Sequence, residues 1–226
     1  MKKLGLVITD GVGFRNFILS DFLKFAEKTF DEVVILSCLP KKVYKSHTNI
    51  QVIELDVFEE TFKTWFFRKT KEIAHLKLHK KGNLGIQDNL KTNDSKLKTR
   101  RGYATRFIYK LTSLFHSESD IHFFQKLQNS TFSNHRTTKA YASILEKEQF
   151  NLLFFTHQRP PYIAPLVYAA QRNKLKTAAF IFSWDNLASK GRMASNFDYY
   201  LVWSELMKND LLQFYTSIKE EHIKVA

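Results

Sequence analysis

The chain has 226 residues, 44% of them hydrophobic, and a formal net charge of +13. That composition suffices for a sizeable core and excludes wholesale disorder, while a single cysteine, Cys38, excludes a disulfide framework and suits a reduced compartment. Met1-Lys2-Lys3 precedes too short an apolar run for a secretory leader, and no stretch approaches the roughly 20 apolar residues of a membrane span. The expectation is a cytoplasmic protein, at most peripheral at the inner membrane face.

Leu4 to Thr9 is a continuous apolar run ended by turn residues and reads as a buried first strand. Asp10-Gly11-Val12-Gly13-Phe14-Arg15-Asn16 is the turn after it, read either as a tight turn with Asn16 capping a helix over Phe17 to Lys28 or, equally, as a ligand contact. Glu32 to Cys38 and Ile50 to Leu55 are two further strands. The strand–turn–helix–strand rhythm argues for parallel strands joined by right-handed crossovers.

After Asp56 the rhythm breaks. Glu59 to Lys81 is helical in pattern, Gly82 to Thr99 is polar and aperiodic and reads as a mobile loop, and Arg100 to Phe115 and Ile121 to Phe150 are helical again. Within this stretch, Lys63 to Lys110 holds 14 Lys and Arg against three acids, Glu72, Asp88 and Asp94. The positive charge therefore belongs to a segment, not to the whole protein. Three readings stand: a solvated insertion, a nucleic-acid groove, or a membrane-surface helix with Trp65, Phe66 and Ile73 in lipid. An anionic membrane surface, reached through Glu59 to Lys110, is preferred over nucleic acid.

The α/β rhythm resumes with a strand at Asn151 to Thr156, the turn His157-Gln158-Arg159-Pro160-Pro161, and a helix over Tyr162 to Asn173. Strands follow at Lys176 to Phe182 and Phe197 to Trp203, then an amphipathic helix over Glu205 to Tyr215 and a final apolar run at Ile223 to Ala226. The expected fold is a doubly wound, mostly parallel Rossmann-like sheet over residues 1–226, with a basic helical or disordered insertion at about 59–135.

Two loops carry chemistry. In such a sheet ligands bind beyond the carboxyl ends of the strands. Ser183 to Arg192 lies there with Trp184, Asp185, Asn186, Lys190 and Arg192, and its blander role is a loop capping a short helix. Asp185 and His157 are the candidate bases toward a hydroxyl; Lys190 and Arg192 offer charge to phosphate or carboxylate. Asp10, Gly11, Gly13, Arg15 and Asn16 form a Gly-rich turn whose backbone could approach an anionic ligand. Asn16 stands where a dinucleotide fingerprint needs its third glycine, and no acid ends the second strand, which argues against a nicotinamide cofactor. His75 and His79, four apart, lack a glutamate and a third ligand; they read as part of a solvated basic face, and no metal is expected.

The strings ITDGVGFRNF, FSWDNLASKGR and FDYYLVWSELMKNDL resemble the N-terminal half of GT-B-type glycosyltransferases, in particular the bacterial group acting on surface carbohydrates within the UDP-glycosyltransferase-like superfamily. Glu59 to His135 matches nothing in that family. The resemblance implies the acceptor-side lobe of a metal-independent enzyme. It would transfer sugar from a nucleotide-sugar, with no further cofactor, to a cell-surface polysaccharide or lipid-linked glycan. By it, Asp10 to Asn16 and Trp184 to Arg192 line the acceptor side, and a donor lobe is expected beyond Ala226. Polyol-phosphate transfer, or a non-catalytic module binding anionic glycan or nucleic acid, are the alternatives.

Overall fold

Apolar runs bounded by turn residues become strands, the central ones buried on both faces. The computed structural model describes residues 1–226, and its single sheet contains β1 (Lys3–Ile8), β2 (Glu32–Ser37), β3 (Gln51–Glu54), β4 (Leu152–Phe155), β5 (Lys176–Phe180), β6 (Tyr199–Val202) and β7 (Ile223–Val225). Their order is β3-β2-β1-β4-β5-β6-β7, and every neighbouring pair is parallel. The strand path runs outward from β1 to β3, returns to set β4 against β1, and proceeds outward the other way. The switch in direction falls between β1 and β4, where Leu4 pairs with Leu152 and Val7 with Phe155.

Alternate residues of each strand feed opposite cores. Val7, Val34, Leu36, Leu153, Phe155 and Ala179 enter a core of 34 buried residues, whereas Leu4, Leu6, Ile8, Val33, Ile35 and Phe154 enter one of 14. The smaller core is closed by α1 (Gly11–Gly13), a π-helical turn over Phe14–Ile18 and α2 (Phe22–Thr29). The helix expected from Phe17 instead begins at Gly11 and is interrupted, leaving two helical pieces, 11–18 and α2, separated at residues 19–21. Asp10, not Asn16, caps the first of them, its Oδ1 accepting from the amides of Val12 at 3.0 Å and Gly13 at 2.9 Å.

Between β3 and β4 lie α3 (Phe62–Leu78), α4 (Leu84–Asn93), α5 (Arg100–Leu114), α6 (Glu118–Ser130) and α7 (Arg136–Glu148). Each starts at a residue whose side chain accepts from the first turn: Thr61, Asn83, Thr99, Ser117 and His135. Helical periodicity through Ile121 to Phe150 hides a break, because Phe132 turns fully inward and His135 restarts the chain as a cap. The remaining helices are α8 (Ala164–Arg172), the short α9 (Asp185–Ser189) and α10 (Glu205–Phe214). No helix is long and apolar enough to cross a membrane.

Three expectations about the insertion are corrected. The polar stretch 82–99 is loop only at its ends: Leu84–Asn93 is helical, with Ile86 fully buried. Its asparagines are spent on tertiary bonds, Asn83 Nδ2 donating to Ala188 O at 2.7 Å and Asn89 Nδ2 to Ser189 O at 3.0 Å. His75 is fully buried in place of lying on a solvated face. Trp65 and Ile73, assigned to lipid from the pattern, are buried, and Phe66 packs against the larger core.

Candidate functional site

The switch in strand direction brings together two loops that are 147 residues apart in sequence. Asp10 follows β1 and His157 follows β4, and His157 Nδ1 lies 2.8 Å from Asp10 Oδ2. Asp10 is held by several groups at once. Its Oδ1 caps α1 as above, and Thr9 Oγ1 donates to Oδ2 at 3.1 Å. The bond to His157, with the Gly13 amide and Thr9 adding to it against the cost of burial, lowers Asp10 to about 2. A carboxylate so low accepts only, so His157 Nδ1 is the donor of this bond, and in the neutral ring Nε2 is the acceptor.

That Nε2 is buried and has no hydrogen-bond partner. The Phe182 ring stands edge-to-face against the imidazole, centroids 4.5 Å apart. Two more side chains on this edge are in the same condition: both amide atoms of the fully buried Gln158 and Nδ2 of the buried Asn186 are unpaired. An unpaired buried polar group costs about 1–3 kcal/mol, and such groups in a native protein ask for a reason.

The glycine turn is built for this pairing. A Cβ on Gly13 would lie 2.4 Å from Thr156 Oγ1, which itself donates to Val7 O at 2.9 Å, whereas Gly11 has nothing within 4 Å. Gly13→Ala should therefore destabilise the protein by about 1–3 kcal/mol, as overpacking does, and Gly11→Ala should leave it near wild type; urea denaturation reads both. The turn does not offer its amides to an anion, since those of Val12 and Gly13 are already occupied by Asp10. Arg15 is exposed and lies along the same turn, its Nε donating to Asn16 Oδ1 at 3.2 Å.

The low Asp10 value also sets a pH dependence. Its carboxyl ionises more readily folded than unfolded, so the stabilisation is complete above the ordinary value of 3.8 and is lost as pH falls through about 2. By 1.36 kcal/mol per unit it amounts to about 2 kcal/mol. Asp10→Asn should accordingly be less stable than wild type at pH 7, and the gap should close between pH 4 and pH 2 in denaturation curves. A gap unchanged at pH 2 would disprove the assignment.

Around this pair, Tyr162 Oη donates to Thr9 O at 3.0 Å, and burial pushes Tyr162 up to about 12. Cys38, at the end of β2, is pushed up to about 11 by burial and by the Asp10 charge. It remains a thiol and is no nucleophile at neutral pH. Gln158, Tyr162, Thr156 and Phe182 were not singled out from the sequence. A glutamine flanking a candidate histidine and a Pro-Pro-Tyr helix start were the only signals available for the first two.

The loop after β5 divides into an outer and an inner part. Trp184 is 69% exposed. Asp185 begins α9, accepts from Ser183 Oγ and lies 3.8 Å from Lys190 Nζ, both charges being partly exposed. Arg192, expected at the ligand, turns inward: its side chain is 3% exposed and its guanidinium grips Glu118 of α6 through two bonds, Nη2 to Oε1 at 2.5 Å and Nη1 to Oε2 at 3.1 Å. It also lies 4.3 Å above the Tyr215 ring. Burial, with the Arg192 charge behind it, holds His75 well below its ordinary value and hence neutral. Lys71 donates to Met193 O, Ala194 O and Gln125 Oε1 at 3.1, 3.0 and 2.6 Å, while burial pushes it down to about 7. Arg159 Nη1 donates to Gly191 O at 3.0 Å. The insertion thus clamps the loop's far end, and Asp10 and His157 are the residues the strand switch joins.

The chain is a Rossmann-like α/β domain. No family model matches it, nor does any curated protein. Among solved structures it is similar to the UDP-GlcNAc 2-epimerase from Methanocaldococcus jannaschii, at 11% identity and a TM-score of 0.46, over 99% of this chain and 45% of that one. It is similar also to the UDP-GlcNAc 2-epimerase from Neisseria meningitidis bound to UDP-GlcNAc, at 11% identity and a TM-score of 0.41, with the same coverage. The chain spans about half the length of these epimerases. A likeness at that level extends no further than the path of the backbone.

Proposed function

We propose that the domain is the acceptor-side part of a glycosyltransferase and that His157 is its general base. The observation carrying this reading is the unpaired Nε2 of an imidazole whose other nitrogen is held 2.8 Å from a fully ionised Asp10, at the switch in strand direction. Nε2 is closed off in this arrangement, so an acceptor hydroxyl supplies the missing partner only once the Phe182 ring against the imidazole moves aside. His157 takes the hydroxyl proton as the oxygen attacks the sugar carbon of the donor, and Asp10 stabilises the imidazolium that forms. Trp184, exposed on the neighbouring loop, offers a face for a sugar ring.

The supply of cations supports an acceptor role over a donor role. A leaving nucleoside diphosphate needs helix N-termini or basic side chains. Here the turn amides are taken by Asp10 and Arg192 by Glu118, leaving Lys190 and Arg15 as the partly exposed charges of the two loops. On this reading Lys190 and Arg15 meet the donor phosphates only in part, and most of their contacts come from residues outside this edge.

The test is release of nucleoside diphosphate from a panel of nucleotide-sugars in the presence of glycan acceptors. Release should depend on the acceptor's free hydroxyl and vanish when that hydroxyl is methylated. Release indifferent to methylation would refute the base assignment. If nucleoside monophosphate is released from a nucleotide-activated polyol in place of the diphosphate, the same base serves polyol-phosphate transfer.

A further inference from the structure

The insertion has an outer face that the site does not use. A cleft of about 390 Å³ opens between α3, α5 and α6, lined by seven apolar residues, among them Phe66, Phe67, Leu111 and Phe124, and one acid, Asp120. That volume lies in the range of small-molecule sites, about 300–1,000 Å³. Its rim is apolar and open to solvent: Phe107, which stacks on Phe66 with centroids 6.3 Å apart, is 57% exposed, and Leu114, Phe115 and Phe123 are 79%, 47% and 56% exposed. Soluble proteins rarely leave contiguous apolar surface of this kind without a partner for it.

The charges around the cleft identify the partner. On α5 the exposed stripe reads Arg100, Tyr103, Phe107, Lys110, Leu114, at helical spacing, so cations and apolar side chains share one face. Lys63 of α3 lies one turn from Phe66 and Phe67, and Lys126 of α6 lies one turn from Phe123; both lysines are exposed. Arg100 sits 4.0 Å from the Phe62 ring. The lone acid is already engaged, Asp120 Oδ2 accepting from Ser117 N at 2.9 Å and Ser117 Oγ at 2.6 Å as the cap of α6. A second copy of this face would bring the same cations against themselves. Single-stranded nucleic acid would stack bases on the aromatics but leaves the aliphatic Leu111, Leu114 and Leu127 unmatched.

We propose that this face docks on an anionic bilayer. Phe107, Leu114, Phe115 and Phe123 enter the acyl boundary, and Lys63, Arg100, Lys110 and Lys126 meet the phosphate headgroups. The docking residues differ from those the amphipathic pattern selects, because Trp65 and Ile73 are committed to the interior. The proposal does not rest on the His157 reading.

The experiment is flotation of the intact protein with vesicles of phosphatidylcholine alone or mixed with phosphatidylglycerol. Wild type should float only with the mixed vesicles and be released by salt. Phe107→Ser with Phe123→Ser should weaken binding at least tenfold, and Lys63→Gln with Lys110→Gln about 25-fold, at roughly a factor of five per cation. All four side chains are exposed, so folding is spared, and circular dichroism verifies it. The proposal is overturned if wild type does not float with phosphatidylglycerol, or if both variants float as wild type does. It is overturned too if the phenylalanine variant instead converts a dimer to monomer in sedimentation velocity. Retention on single-stranded DNA that only the lysine variant loses, without vesicle binding, would assign the face to nucleic acid.

Discussion

His157→Ala is expected to lower the transfer rate by about 10² to 10⁴-fold, the usual contribution of a positioned general base, with little change in the KM of the acceptor. Asp10→Asn should fall by a similar order although it keeps an oxygen for the Val12 and Gly13 amides. An asparagine in place of the carboxylate no longer fixes the proton on Nδ1, so Nε2 is not reliably the acceptor. Because both changes disable one device, the double variant should be no slower than His157→Ala alone, a departure from additivity that independent structural damage would not give. Asp185→Asn is the counter-test. Its carboxylate already accepts from Ser183 Oγ, so near-normal turnover is expected. An inactive Asp185→Asn beside an active His157→Ala would move the base to the loop after β5 and remove Asp10 from the chemistry.

How much of this was legible in the sequence depended on the range over which each residue acts. The strands announced themselves, since an apolar run such as Leu4 to Ile8 is buried by its own composition whatever it packs against. His157 and Asp10 were each selectable as polar residues beyond strand ends, but their 2.8 Å pairing needs the β1–β4 adjacency, which local periodicity does not encode. The same limit explains the misread insertion. Asn83 and Asn89 look like solvated loop residues until the loop after β5 supplies the carbonyls they bond. Lys71 and His75 look like a wet basic face until Met193, Ala194 and Arg192 are placed against them. Polar residues that serve tertiary partners carry the same letters as those that serve water.

Arg192 is where the two readings part most sharply, and Arg192→Ala is expected to destabilise the fold by about 3–5 kcal/mol, the usual result of removing one partner of a buried ion pair. The loss has identifiable parts. Glu118 keeps its charge in the first turn of α6 without the guanidinium, Phe214 O loses the donor at 3.3 Å, and the Tyr215 ring loses the cation stacked upon it. Against a total stability of 5–15 kcal/mol typical of domains, that is a large fraction. Arg192→Lys should recover little of it, because a lysine ammonium cannot reproduce the two-bond fork on Glu118. Urea denaturation reads the total, and hydrogen exchange at Gly191 to Ala194 and along α6 locates it. A surface phosphate ligand would behave in the opposite way, with an unchanged unfolding midpoint and a raised donor KM. That outcome would also undo the argument that this edge is too poor in free cations to hold the donor, and would return the loop after β5 to the centre of the chemistry.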